Sequence, residues 1–80
     1  MQTKKITLKS PITVDGVEYK ELEMREPTVR DQVLAQSANN PAQNEVQLFA
    51  NLCGISSDAV MDLTLSNYTR LQEAFSGFLD

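Results

Sequence analysis

The chain has 80 residues, 41% of them apolar, a length that supports one small domain, residues 1–80, around a single core. Seven basic against eleven acidic residues give a net charge of −4, which disfavours nucleic-acid binding, and no run approaches the roughly 18 apolar residues of a membrane span. The lone Cys53 cannot form an intramolecular disulfide, which favours a reducing compartment. Together with the lack of a membrane span, this predicts a soluble protein in the cytoplasm.

Residues from about 5 to 26 carry the pattern of a β-hairpin. Alternation places four apolar residues of the first strand on one face: Ile6, Leu8, Ile12 and Val14. Asp15-Gly16 supplies residues that tolerate positive φ in a tight turn. In the second strand, from about Val17 to Arg25, the apolar positions change parity, so we expect a bulge near Lys20-Glu21. Pro11 should also interrupt the ladder, because it has no N–H to donate.

A helix is predicted directly after the hairpin. Thr28 and Asp31 stand at the spacing of a capping box, with Pro27 before them. The helix should run from about Val29 to Ser37 and bury three apolar residues: Val29, Val33 and Leu34. The small, polar, proline-containing segment 37–43 is typical of a loop.

Three further helical segments are predicted in the second half of the chain. The first begins at Asn44 and ends at Gly54, where a left-handed cap is favoured. Its apolar stripe consists of Val46, Phe49, Ala50 and Cys53, and it is widened by Leu48 and Leu52. Ser56 or Ser57 caps a short helix that Thr64-Leu65 ends, and Ser66 caps the last one. The last helix carries an apolar stripe of Tyr68, Leu71, Phe75, Phe78 and Leu79.

These elements predict an α+β fold. An N-terminal β-hairpin, about 5–26, is followed by a helical part, about 28–80, with a loop at 37–43. Because two strands alone are marginally stable, we expect the three to four short α-helices to pack on one face of the hairpin.

Few residues in the chain are suited to catalysis or metal binding. It has no His, one Cys and no glycine-rich phosphate loop, so we predict no catalytic, metal or cofactor site and no enzyme activity. Four glutamates are better explained as solvated side chains on a strand than as acid–base pairs: Glu18, Glu21, Glu23 and Glu26. Cys53, between Leu52 and Gly54, is interpreted as a small core residue rather than a reactive thiol.

Partner binding is the chemistry that the pattern leaves open. Arg25, Glu26 and Arg30 are not needed by the strand end, the proline corner or the cap, and could serve recognition. The last helix is the stronger candidate, although core packing explains its stripe as well. The candidate partner-binding residues are Tyr68, Leu71, Phe75, Phe78 and Leu79, with Leu48 and Leu52 as an alternative.

Two stretches of the chain carry a family resemblance. Residues 8–16, LKSPITVDG, and residues 22–31, LEMREPTVRD, resemble the small tail assembly chaperones of long-tailed phages and prophages, particularly the contractile-tailed ones. Residues 65–68, LSNY, and the closing Phe78-Leu79 are similar to the C-terminal part of that family.

The resemblance implies a non-enzymatic role in the cytoplasm of a bacterial host. Such proteins bind the helical tape measure protein, keep it soluble before the tail tube polymerises around it, and are absent from the finished tail. Several are made in two lengths by translational frameshifting, and this chain would be the short form. Its partners would then be the tape measure protein and, as further candidates, a second copy of itself and a longer frameshifted form.

Two other functions are compatible with the sequence. A structural tail subunit would polymerise with itself through an exposed hairpin edge, and Pro11 argues mildly against this. A small acidic regulator, such as an antitoxin, would need a clustered acidic face, whereas the acids here are spread between the second strand and the helices.

Overall fold

The structure, a computed structural model, describes residues 2–36 and 40–79. Its elements follow in the order β1 (Thr3–Val14), β2 (Val17–Arg25), α1 (Val29–Ala35), α2 (Pro41–Cys53), α3 (Ser57–Met61) and α4 (Leu65–Leu79). The predicted α+β architecture, a β-hairpin followed by helices, is confirmed.

The strands pair as an antiparallel hairpin with a two-residue turn. Asp15 (φ 52°) and Gly16 (φ 79°) both adopt the left-handed conformation, as a type I′ turn requires, and Val14 pairs with Val17 across it. The predicted turn is therefore confirmed. All four glutamates that were interpreted as solvated, Glu18, Glu21, Glu23 and Glu26, are exposed.

The ladder is irregular opposite Lys20, which confirms the position of the predicted bulge near Lys20-Glu21, but the extra residues lie in β1 rather than in β2. Thr7 pairs with Glu21 and Ile12 pairs with Tyr19, so that residues 8–11 of β1 face the single Lys20. Pro11 falls within this stretch and cannot donate to a ladder. The parity change in β2 was a genuine signal of a register shift, but it does not tell which of the two strands carries the extra residues.

The core lies between one face of the hairpin and the helices. Helix α4 packs on both strands, and α2 packs on β2. Rings meet at its centre, where Phe49 lies 5.5 Å from Tyr68 and 5.6 Å from Phe75 between centroids. The buried cluster consists of Ile6, Leu8, Leu22, Met24, Ala35, Leu48, Phe49, Leu52 and Leu71.

Helix α1 begins with the predicted capping box but turns a different face to the core. The Asp31 N–H donates to the Thr28 hydroxyl, and the Thr28 N–H donates to the Asp31 carboxylate. Asp31 and Ala35 are the buried residues of the helix. The three residues predicted to be buried are instead exposed: Val29 (82%), Val33 (64%) and Leu34 (63%).

Helix α2 begins earlier than predicted. Asn40 is its N-cap and Pro41 its first residue, so residues 41–43 of the predicted loop are helical, while residues 37–39 lie outside the described residues. The helix buries Leu48, Phe49, Ala50 and Leu52. Gly54 (φ 69°) ends it in the left-handed conformation, which confirms the predicted cap.

The two last helices have well-defined N-termini. Ser56 caps α3, one of the two predicted possibilities. The prediction that Ser66 caps α4 is wrong, because the Thr64 hydroxyl accepts from the Asn67 N–H at 3.2 Å, and the helix already includes Leu65.

Candidate partner-binding groove

The predicted partner-binding residues separate into a buried and an accessible group. Leu48, Leu52 and Leu71 are buried in the core. Tyr68, Phe75 and Phe78 are half-buried, and Leu79 is 66% exposed. Because a partner cannot reach fully packed side chains without opening the fold, the accessible group is the one to consider for direct contact.

A groove runs between α1 and α4 with α2 as its floor. Two adjoining cavities, of about 390 and 180 Å³, share four lining residues: Gln32, Leu48, Phe75 and Leu79. The larger cavity extends towards Ala35 and Glu45, and the smaller towards Pro27 and Val29. We call this feature the α1/α4 groove. It brings Phe75 and Leu79 of the predicted stripe together with Leu48 of the predicted alternative.

The rim of the groove is apolar and exposed. Val29 lines the smaller cavity, whereas Val33, one helical turn further along α1, is exposed but lines neither cavity. Leu79 lines both cavities from α4. Large apolar side chains that remain this exposed around a concave site are typical of a surface that binds another protein.

Glu45 provides a carboxylate on the wall of the larger cavity. Its Oε1 accepts from the Tyr68 hydroxyl at 2.6 Å and from Gln72 Nε2 at 3.0 Å, which ties α2 to α4. Burial, and then the bond to this carboxylate, raises the pKa of Tyr68 well above its usual value. Glu45 was not among the predicted site residues, since Tyr68 lies 23 positions away and no local pattern reports the contact.

The position of α1, one wall of the groove, depends on a bidentate ion pair. Arg25 donates from both terminal nitrogens to the Asp31 carboxylate, at 2.7 and 2.6 Å. This bond, with those from Thr28, holds the pKa of Asp31 well below its usual range. Arg25 is therefore not available for recognition in the way that the sequence suggested.

Asn67 fixes the irregular stretch of β1 against α4. Its Oδ1 accepts from the backbone N–H groups of Lys9 (2.8 Å) and Ser10 (3.4 Å), and its Nδ2 donates to the Ser10 carbonyl at 3.0 Å. The side chain is fully buried. Sequence reasoning missed this role, because its partners lie 57 and 58 positions away.

The environment of Cys53 and the arrangement of the acidic side chains bear on whether the described residues could react or hold a metal ion. Burial raises the pKa of the Cys53 thiol to about 11, so this sulfur stays protonated at neutral pH. In residues 2–36 and 40–79 no group of three or more Cys, Asp or Glu side chains is arranged to hold a metal ion. None of the helices in these ranges has the length and hydropathy needed to cross a bilayer.

Comparison with known proteins identifies a family. The family described as phage tail assembly chaperone proteins, E, or 41 or 14, matches residues 5–80, nearly the whole chain. No curated protein and no solved structure matches.

Proposed function

We propose that this chain, which belongs to the phage tail assembly chaperone family, binds a helical segment of the tape measure protein in the α1/α4 groove. Binding keeps the tape measure protein soluble in the host cytoplasm until the tail tube polymerises around it. The chain then leaves and is absent from the finished tail. Its contribution is a covering surface rather than a catalysed reaction.

The observation that carries the proposal is the exposed apolar rim of the α1/α4 groove. Val29 and Leu79 remain in water in the isolated chain although they line a concave site. Exposed apolar area costs free energy in proportion to its size, about 25 cal/mol per Å², and a helical partner with its own apolar stripe would remove both surfaces from water. An amphipathic helix lying in such a groove is a common mode of recognition.

The test is co-expression with the tape measure protein of the same phage or prophage, followed by size-exclusion chromatography with light scattering. We expect a soluble complex of fixed stoichiometry when both proteins are present, and insoluble tape measure protein when it is expressed alone. A tape measure protein that stays insoluble beside the folded chain, with and without any longer frameshifted form, would contradict the proposal.

Matched variants locate the binding surface. The double substitution Val29→Ser with Leu79→Ser removes two exposed apolar groups that line the groove and should reduce the yield of complex at least about tenfold, because binding loses two apolar contacts. Leu65→Ser removes a more exposed side chain (83%, against 66% for Leu79) from the opposite end of α4 and should leave the yield unchanged. Equal effects of the two variants would place the site elsewhere.

The same chromatography separates the chaperone from a structural subunit. A chaperone elutes as a small species when it is alone, whereas a tail subunit that self-assembles forms large polymers without the tape measure protein. Polymers of this kind would favour the structural function.

A further inference from the structure

We propose that the Glu45 carboxylate binds a Lys or Arg of the helix that occupies the α1/α4 groove, so that this helix carries a basic residue beside its apolar stripe. This inference rests on the proposed function, and it specifies the chemistry of the occupant. It makes the groove selective among apolar helices, favouring a basic amphipathic one.

The first argument is the uneven distribution of charge along the chain. The hairpin part, residues 1–27, has five basic and five acidic residues and is neutral. The helical part, residues 28–80, has two basic and six acidic residues, so that it carries the whole net charge of −4. The groove belongs to this acidic part, and its field therefore attracts a cationic segment.

The second argument is the geometry of Glu45. This half-buried carboxylate lines the larger cavity next to Phe75 and Leu79. Both of its hydrogen bonds end on Oε1, and the ion pair Arg25–Asp31 is the one salt bridge within residues 2–36 and 40–79. Glu45 thus has no Lys or Arg of the described chain within 4.0 Å, and a carboxylate accepts at up to four positions.

The third argument is that the carboxylate is held in place before binding. Tyr68 and Gln72 of α4 fix its position and orientation. A charged acceptor that is already oriented loses little conformational freedom when a Lys or Arg arrives, and charge-assisted bonds of this kind are the stronger ones. Partial burial beside apolar side chains also reduces screening by water.

A second copy of the chain is a poorer occupant by the same reasoning. Its helical part carries the same net charge of −4, so that two grooves facing one another repel. Charge complementarity therefore favours a basic partner over self-association through this surface.

The test uses overlapping 25-residue synthetic peptides that span the tape measure protein, with binding measured by fluorescence anisotropy at 50 and 500 mM NaCl. We expect the tightest peptide to combine an apolar stripe with a Lys or Arg. Glu45→Gln keeps an acceptor for Tyr68 and removes the charge, and it should raise Kd about fivefold at 50 mM and less at 500 mM.

Two controls distinguish recognition of a basic residue by Glu45 from a structural role of Glu45. Glu73→Gln removes an equal charge from an exposed position of α4 and should change Kd by less than about twofold. Replacing the basic residue of the peptide by Ala should weaken binding to the native chain about fivefold and leave binding to the Glu45→Gln variant nearly unchanged.

The possible outcomes separate a failure of the Glu45 proposal from a failure of the proposed function. If Glu45→Gln and Glu73→Gln weaken peptide binding equally, recognition of a basic residue by Glu45 is wrong while the proposed function stands. If no peptide binds but the full-length complex forms, the NaCl concentration that dissociates this complex is compared instead. We expect it to be lower for Glu45→Gln than for the native chain, and nearly unchanged for Glu73→Gln. If neither a peptide nor the full-length protein binds, the proposed function itself is wrong.

Discussion

Asn67 connects α4 to the irregular stretch of β1 through three hydrogen bonds to backbone groups of Lys9 and Ser10. Residues 8–11 cannot complete a ladder with β2, because they face Lys20 alone. The buried amide supplies the missing acceptor and donor. The N–H groups of Lys9 and Ser10 and the carbonyl of Ser10 are therefore paired despite the register shift.

Loss of this amide should lower stability more than loss of an exposed one. We expect Asn67→Ala to reduce the free energy of unfolding by about 2 kcal/mol, because two N–H groups and one carbonyl lose their partner. Urea denaturation measures the change. Asn51→Ala, at an exposed site bonded to Gln47, should cost less than about 0.5 kcal/mol, and a comparable loss in both variants would contradict the role of Asn67.

Asp31 makes the stability of the chain depend on pH. Its pKa in the folded state lies below the value of about 3.9 found in unfolded chains, so the ionised carboxylate stabilises the fold fully above that value. As the pH falls from neutral through the unfolded and then the folded pKa, the native state loses this contribution.

Substitution of Asp31 should therefore weaken the pH dependence along with the stability. We expect Asp31→Asn to lower the free energy of unfolding by about 2 kcal/mol at pH 7, and to flatten its decline between pH 5 and pH 2. Urea midpoints across this range measure both effects. Glu73→Gln, at an exposed site that has no ion pair within residues 2–36 and 40–79, should keep the native slope, and an unchanged slope in Asp31→Asn would be inconsistent with this account.

Residues that act on their neighbours in sequence were the predictable ones. The Asp15-Gly16 turn, the Thr28 capping box and the Gly54 cap each follow from chemistry within a few positions. Asn67 and Glu45 act across 58 and 23 positions, and a single sequence carries no periodic signal for such contacts.

Helix α1 shows why an apolar pattern can mislead at the scale of the element. Its seven residues are held by the capping box and by Arg25, both of which direct Asp31 towards the hairpin. Val29 and Val33 consequently lie on the outer side, although hydrophobicity alone predicts their burial. Polar bonds at a helix start thus set its rotation, and Val29, which is left outside, forms part of the groove rim.

The end of α4 is joined to the start of β1 by a cation over an aromatic ring. Lys4 Nζ lies 4.7 Å from the centroid of Phe78, and a Cβ at Gly77 would overlap this nitrogen. Glycine at position 77 lowers helix propensity by roughly 1 kcal/mol but leaves room for Lys4. The contact with Phe78 contributes about 0.5–1 kcal/mol to stability.

These two effects predict coupling between positions 4 and 77. Gly77→Ala should change the free energy of unfolding by less than about 0.5 kcal/mol in the native chain, because the gain in helix propensity offsets the displaced Lys4. In a Lys4→Ala background the same change should stabilise by about 1 kcal/mol. Urea denaturation of the four proteins measures the cycle, and additivity would show that the two residues do not interact.

At the scale of the whole molecule, the helices that form the groove walls are separated by α2 and α3 along the chain. Their approach depends on how α1 packs on α2 and how α4 packs on the hairpin, so that local patterns predicted the helices but not the groove. The family resemblance of residues 8–16 and 22–31 did anticipate the family that matches residues 5–80. What it could not indicate is which apolar residues remain accessible.

Charge and shape at this scale agree with a covering role. The molecule measures 30 × 26 × 19 Å, and its acidic helical part surrounds the groove while the hairpin part is neutral. A small, negatively charged domain that covers an apolar helix would make the complex more soluble than the helix alone.

Hydrogen–deuterium exchange of the chain, free and in complex with the tape measure protein, tests the central claim most directly. The account predicts slower exchange in the complex over α1 and the last turn of α4, with β2 unchanged. Slowing confined to β2, with α1 and α4 exchanging as in the free chain, would contradict the groove and place the partner on the strand edge.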